Sequence, residues 1–172
     1  MNKSDTLDDA IFVALGSNLK GGYPSCPALL ADAFGRFPAV GVTVVTRSSW
    51  WRSAAWPDPA LPDYVNAVAI VETALAPRAL LAALLGLEAA FGRRRDQPNA
   101  PRTLDLDLIA FGRLIIEEAG LTVPHPRAPE RRFVMGPLAE IAPAWRHPVT
   151  GQTAADLAAL ATVGRDARPL SA

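Results

Sequence analysis

A chain of 172 residues, half of them hydrophobic and a fifth charged, is long enough to bury a core and too apolar to remain disordered. Its 17 basic and 17 acidic residues cancel, so no global field recruits nucleic acid or an anionic membrane. The single cysteine, Cys26, excludes an internal disulfide and suits a reducing cytoplasm, while the longest apolar run, 79–87, is far short of the ~20 residues of a membrane span. Three aspartates and no apolar core in residues 1–10 argue against a signal peptide. The expectation is one catalytic-size domain over 1–172, with loose tails at 1–10 and 165–172. It should be a cytoplasmic monomer without nucleic-acid or membrane partners.

In chain order, the apolar run 11–15 predicts a buried strand stopped by Gly16-Ser17-Asn18. After a loop at 20–27, the spacing of Leu29, Leu30, Ala33, Phe34 and Phe37 predicts a helix over 28–37. Alternation in 40–47 predicts the second strand. Pro57, Pro59 and Pro62 then forbid helix or central strand, so 54–63 reads as an extended loop. Trp56 within it is either a cover for the local core or a plate for a flat ligand. Residues 64–72 form the third strand, and Asn66, flanked by apolar neighbours, is an amide that must find partners. Those partners can be a neighbouring loop or a ligand edge. Pro77 opens a helix whose apolar face is Leu80, Leu81, Leu84, Leu85, Leu87 and Phe91, with Glu88 a lone charge in its interior. Gly92 stops that helix. The run Arg93, Arg94, Arg95 is either a solvated turn complementing the helix dipole or a lid that closes over polyphosphate.

Residues 103–111 alternate between Pro101 and Gly112 and predict a short strand. Leu104, Leu106 and Leu108 share one face, and Asp105 and Asp107 the other, about 7 Å apart along the strand. Such a pair is either a solvated outer face or a holder of hard cations such as Mg²⁺, with Arg102 upstream as a phosphate donor. A hairpin at 114–116 and 121–123 follows, then Val123-Pro124-His125, a loop at 126–132, an apolar segment 133–141 and a small helix at 153–160. A lone histidine such as His125 is commonly a surface residue. The order strand, helix, strand, strand, helix, strand predicts an α+β fold: a ferredoxin-like split βαβ, with an antiparallel sheet and helices packed on one face.

The phrase Pro101-Arg102-Thr103-Leu104-Asp105-Leu106-Asp107-Leu108 resembles the signature of the 6-hydroxymethyl-7,8-dihydropterin pyrophosphokinases. Gly16 to Leu19, Asp63 to Asn66, and Val123-Pro124-His125 are similar to further motifs of that family. The resemblance implies transfer of diphosphate from ATP to the hydroxymethyl group of the pterin, releasing AMP, with two Mg²⁺ ions on Asp105 and Asp107. It implies catalytic roles for Arg93, Arg102, Asp105 and Asp107. It places Glu88, Arg93, Arg95, Arg102, Leu108, His125 and Arg131 on the nucleotide, and Ser53, Ala54, Trp56, Tyr64, Asn66 and Phe133 on the pterin. The chain departs from the family at Asn99, where a tryptophan is frequent, and at Pro126, and its 93–102 segment is one residue shorter than in some members. Two rival readings are a non-catalytic ligand-binding module of the same fold and a two-metal transferase with another acceptor.

Overall fold

The computed structural model describes residues 7–55, 57–92 and 103–170. The apolar run after Ala10 forms β1 (Ile11–Ser17), two residues longer than the run itself. Helix α1 (Cys26–Gly35) starts early because the Ser25 hydroxyl caps it, accepting from the Ala28 N–H at 3.2 Å. Phe37 therefore falls in a separate 3₁₀ turn (Phe37–Val40), which Gly41 ends at φ 82°. Next come β2 (Val42–Arg47), β3 (Trp51–Ser53), β4 (Tyr64–Thr73), α2 (Pro77–Ala90) and β5 (Asp105–Phe111). The hairpin forms as β6 (Ile116–Glu118) and β7 (Leu121–Val123). The apolar segment after it is helix α3 (Arg132–Ile141), and α4 (Ala154–Leu160) is capped by the Thr153 side chain.

The main sheet runs β5-β1-β4-β3 and is extended beyond β3 by β8 (Arg168–Pro169), with β2 also pairing with β4, and its named pairs are antiparallel. Strand β4 lies between β1 and the β2 and β3 strands, and β1 lies between β4 and β5, so the β1–β2 crossover skips β4 and the β4–β5 crossover skips β1. That is the split βαβ arrangement expected. Alternation along the strands divides the apolar residues between two cores. On one face Val13, Leu15, Leu106 and Leu108 pack with Leu29 and Leu30 of α1 and Leu80 and Leu84 of α2. These two helices on one face are the α+β layer. On the other face Phe12, Ala14, Val68 and Ile109 pack with Met135 and Leu138 of α3, Leu157 of α4 and Trp145. The α3–α4 layer covers only part of that face, and the remainder is open. Among the described residues no helix is long and apolar enough to cross a membrane.

The expected loose tails are corrected over their described parts. Leu7 packs against the second core and Asp8 Oδ1 accepts from the Arg146 N–H at 3.0 Å. At the other end β8 (Arg168–Pro169) pairs with β3, and Ala167 is buried. Both segments are tied by partners distant in sequence, which local composition does not show.

Candidate active site

The uncovered part of the sheet face is floored by one row of residues. Asp105 pairs with Gly16, and Gly16 with Asn66, so the three stand side by side across β5, β1 and β4. Asp107 is one row along, opposite Ala14. Directly opposed residues point to the same face, so both carboxylates and the amide look into one space. Leu104, Leu106 and Leu108 are buried on the other side, as the alternation requires. Gly16 is needed here: a Cβ on it would lie 2.7 Å from Asn66 Oδ1. The Asn66 amide is itself buried, and its Nδ2 donates to the Ser53 hydroxyl at 3.4 Å.

Walls rise around this floor to form a cavity of about 120 Å³, partly open to solvent. Ser53, Ala54 and Tyr64 make one side, and Arg127, Arg131, Phe133 and Val134 the other. Arg131 occupies the N-cap position of α3, and its guanidinium lies 5.8 Å from the centre of the Phe133 ring, within cation–π range. Burial lowers the Arg131 pKa, opposed first by the attraction of Asp107 and lowered further by Arg127. It stays protonated, since an arginine ordinarily titrates far above neutral pH.

His125 sits behind this wall, its N–H donating to the Ile109 carbonyl at 2.8 Å. Burial pushes its pKa down to about 4, helped by Arg131 and opposed by Asp105. Its Nδ1 accepts from the Arg127 N–H at 3.2 Å, so the neutral ring carries its proton on Nε2. The ring is a neutral donor beside a cluster of charges.

The cavity therefore gathers Ser53, Ala54, Tyr64, Asn66, Asp105, Asp107, Arg131 and Phe133 from the residues the sequence pointed to. The side chains of two others do not line it. Leu108 belongs to the core under α1 and α2, because it alternates with the aspartates. Glu88 is buried beneath the strand, and its Oε1 accepts from the Leu106 N–H at 2.8 Å. It holds the backbone between the two aspartates rather than lining the cavity. Trp56, Arg93, Arg95 and Arg102 lie outside the described residues. Arg127 was missed. The sequence signal was available, an arginine two residues past His125, but the loop 126–132 offered no pattern to place it.

The donor set suits a hard cation. Two half-buried carboxylates share a face, and among the described residues no group of three or more histidine, cysteine, aspartate or glutamate side chains competes for a metal. Oxygen ligands in that number leave positions for water and phosphate, which is the manner of Mg²⁺.

The chain is similar to known proteins in sequence and in fold. The family model described as 7,8-dihydro-6-hydroxymethylpterin-pyrophosphokinase matches residues 12–143. The chain is 48% identical over 141 residues to the 2-amino-4-hydroxy-6-hydroxymethyldihydropteridine pyrophosphokinase of a Synechocystis species, covering 82% of this chain and 70% of that protein. It is 42% identical over 138 residues to the protein of the same name from Pseudomonas aeruginosa, covering 80% and 83%. In fold it is similar to wild-type HPPK-DHPS of Plasmodium falciparum crystallised with SDX-DHP, with a TM-score of 0.63 at 12% identity. That match covers 87% of this chain and 43% of the other, so the chain spans under half the length of that solved structure.

Proposed function

The chain belongs to the 7,8-dihydro-6-hydroxymethylpterin-pyrophosphokinase family, and from that premise we propose how its cavity carries out transfer of diphosphate from ATP to 6-hydroxymethyl-7,8-dihydropterin in folate synthesis. The observation that carries the proposal is the single row of Asp105, Gly16 and Asn66, with Asp107 beside it and arginines opposite.

The pterin occupies the Asn66 end. The amide offers a donor and an acceptor together, which suits the pyrimidinone edge, and Tyr64 and Phe133 supply aromatic surface. Ser53 orients the amide by accepting from its Nδ2. The triphosphate occupies the aspartate end. Asp105 and Asp107 would hold Mg²⁺, two ions in this proposal, which when bound neutralises phosphate charge. Arg131 and Arg127 face the transferred group, and His125 adds a neutral N–H behind them. Arg93, Arg95 and Arg102 complete the arginine set in this proposal. In the reaction the hydroxymethyl oxygen bonds to the β-phosphorus as its hydroxyl proton is released to water. The bond from that phosphorus to the α,β-bridging oxygen breaks, and AMP leaves with the electron pair. The whole chain is proposed as one catalytic domain, a monomer working in a cytoplasm that suits the free thiol of Cys26.

The test uses ATP labelled at the β-phosphate with the dihydropterin as acceptor. Label in the pterin product with an equal amount of AMP is expected, and ADP as the main nucleotide product would refute the proposal. In the same assay Asp105→Ala and Asp107→Ala should each lose several kcal/mol of transition-state stabilisation, the scale of a lost metal clamp. Both should stay folded, because the leucines of β5 face the other way.

A further inference from the structure

Residues 162–170 lie beyond the 12–143 matched by the family model, yet they touch both walls of the cavity. On the arginine side, Glu130 O accepts from the N–H groups of Thr162 and Val163 at 3.1 and 2.9 Å, and Val163 O accepts from the Arg132 N–H at 2.9 Å. The backbone that presents Arg131 and Phe133 is thus bracketed on both sides. Gly164 follows in a left-handed conformation, φ 69°, directly against the Phe133 ring: a Cβ on it would meet Cδ1 at 2.5 Å. On the opposite side, Asp166 Oδ2 accepts from the Ala54 N–H at 2.7 Å. β8 then continues the hold by pairing with Trp51 and Arg52 of β3.

We propose that this segment sets the width of the pterin slot. Gly164 seats the Phe133 ring and Asp166 fixes the Ala54 backbone, so five consecutive residues, 162–166, hold the two walls at one spacing. Gly164 and Asp166 are positioning residues, since each acts through a residue that lines the cavity. A flat heterocycle between the walls is sensitive to their separation, because dispersion contacts fall away within an ångström of optimal distance. At the triphosphate end the described tie to this segment is the bracket of residues 162 and 163 around Arg131, whereas Gly164 and Asp166 touch Phe133 and Ala54 of the pterin end. The inference rests on the reading of the Asn66 end as the pterin site.

The test is a steady-state comparison of Asp166→Ala, Asp166→Asn, Gly164→Ala and Asn66→Ala, with each substrate varied in turn and thermal unfolding recorded. Asp166→Ala should raise the KM for the dihydropterin about fivefold, the loss of one hydrogen bond. Its KM for ATP should be unchanged, and its Tm should fall by no more than the about 2–4 °C that one hydrogen bond supplies. Asp166→Asn, whose amide oxygen still accepts from Ala54, should restore the pterin KM. Gly164→Ala should show the same selective rise; if it fails to fold, the Asp166 pair decides alone. Equal rises for both substrates, no rise at all, or no rescue by asparagine would overturn the proposal. Asn66→Ala separates the two layers. If it raises the pterin KM while Asp166→Ala does not, the positioning role fails and the pterin site stands. If Asn66→Ala leaves the pterin KM unchanged, the site reading fails and takes the positioning role with it.

Discussion

Asn66 shows how a single buried polar group is made tolerable. Its amide costs stability unless bonded, and the structure meets this with Ser53 on one side and bare Gly16 backbone on the other. His125 illustrates the same constraint on a titrating group. Unfolded, it titrates near 6.5; folded, burial first and Arg131 second hold it down to about 4. Between those values the unfolded chain binds a proton that the folded chain refuses, so stability must fall as pH drops from 6.5 towards 4 and then level off. At pH 4.5 the loss from this group is about 2–3 kcal/mol. Urea titrations of the protein without nucleotide or metal, at pH 7 and pH 4.5, check it. His125→Asn should be less sensitive to that change than the parent by this amount, and identical pH dependence in the two proteins would show that His125 is not the group responsible.

At the scale of elements, the aspartate strand is an edge strand, and edges leave backbone donors without a sheet partner. Glu88 answers this from α2 by accepting the Leu106 N–H, the amide between the two aspartates. Removing the carboxylate leaves that buried donor unsatisfied. Glu88→Ala should therefore cost about 1–3 kcal/mol of stability in denaturant titrations. It should also lower kcat, since Asp105 and Asp107 flank the released amide. Glu88→Gln keeps an acceptor and should recover most of both. A Glu88→Ala protein with unaltered stability and kcat would mean that α2 does not align the strand. The same logic of one element shaping another appears at α3, where Gly136 lets the Trp51 ring approach so closely that a Cβ would stand 2.5 Å from it. Trp51 Nε1 then donates to Glu140 Oε2 at 2.7 Å, fixing helix to strand.

For the molecule as a whole, the C-terminal segment closes the structure against its own middle. Thr162 and Val163 bond to Glu130, Leu170 to Trp50, and the Arg132 guanidinium reaches the carbonyls of Ala158 and Ala167. Ending the chain at residue 160 removes these backbone bonds together with that from the Arg132 N–H to Val163 O, four backbone bonds outside the β3–β8 pairing, and exposes what Ala161 and Ala167 cover. At about 1 kcal/mol per bond, the truncated protein should lose about 4 kcal/mol or more, read as a lower urea midpoint. A midpoint equal to that of the full chain would mean that this end carries no stability.

Much of this molecule is readable from local pattern. A continuous apolar run marks β1, strand-type residues mark β4, period two marks β2 and β5, period-3.6 runs mark α1 and α2, and alternation alone puts Asp105 and Asp107 opposite three leucines, because side-chain direction in a strand depends only on parity. The motif residues around them name the family. Other features have no local signature. Glu88 turned inward to a backbone amide, Arg127 turned into the cavity, and the end of the chain reached back 112 positions to Ala54. Each depends on which surfaces meet after the sheet has formed. Composition and periodicity describe what a segment can bury. Only the register of β1, β4 and β5, and the packing of α3 across their open face, decide what it is buried against.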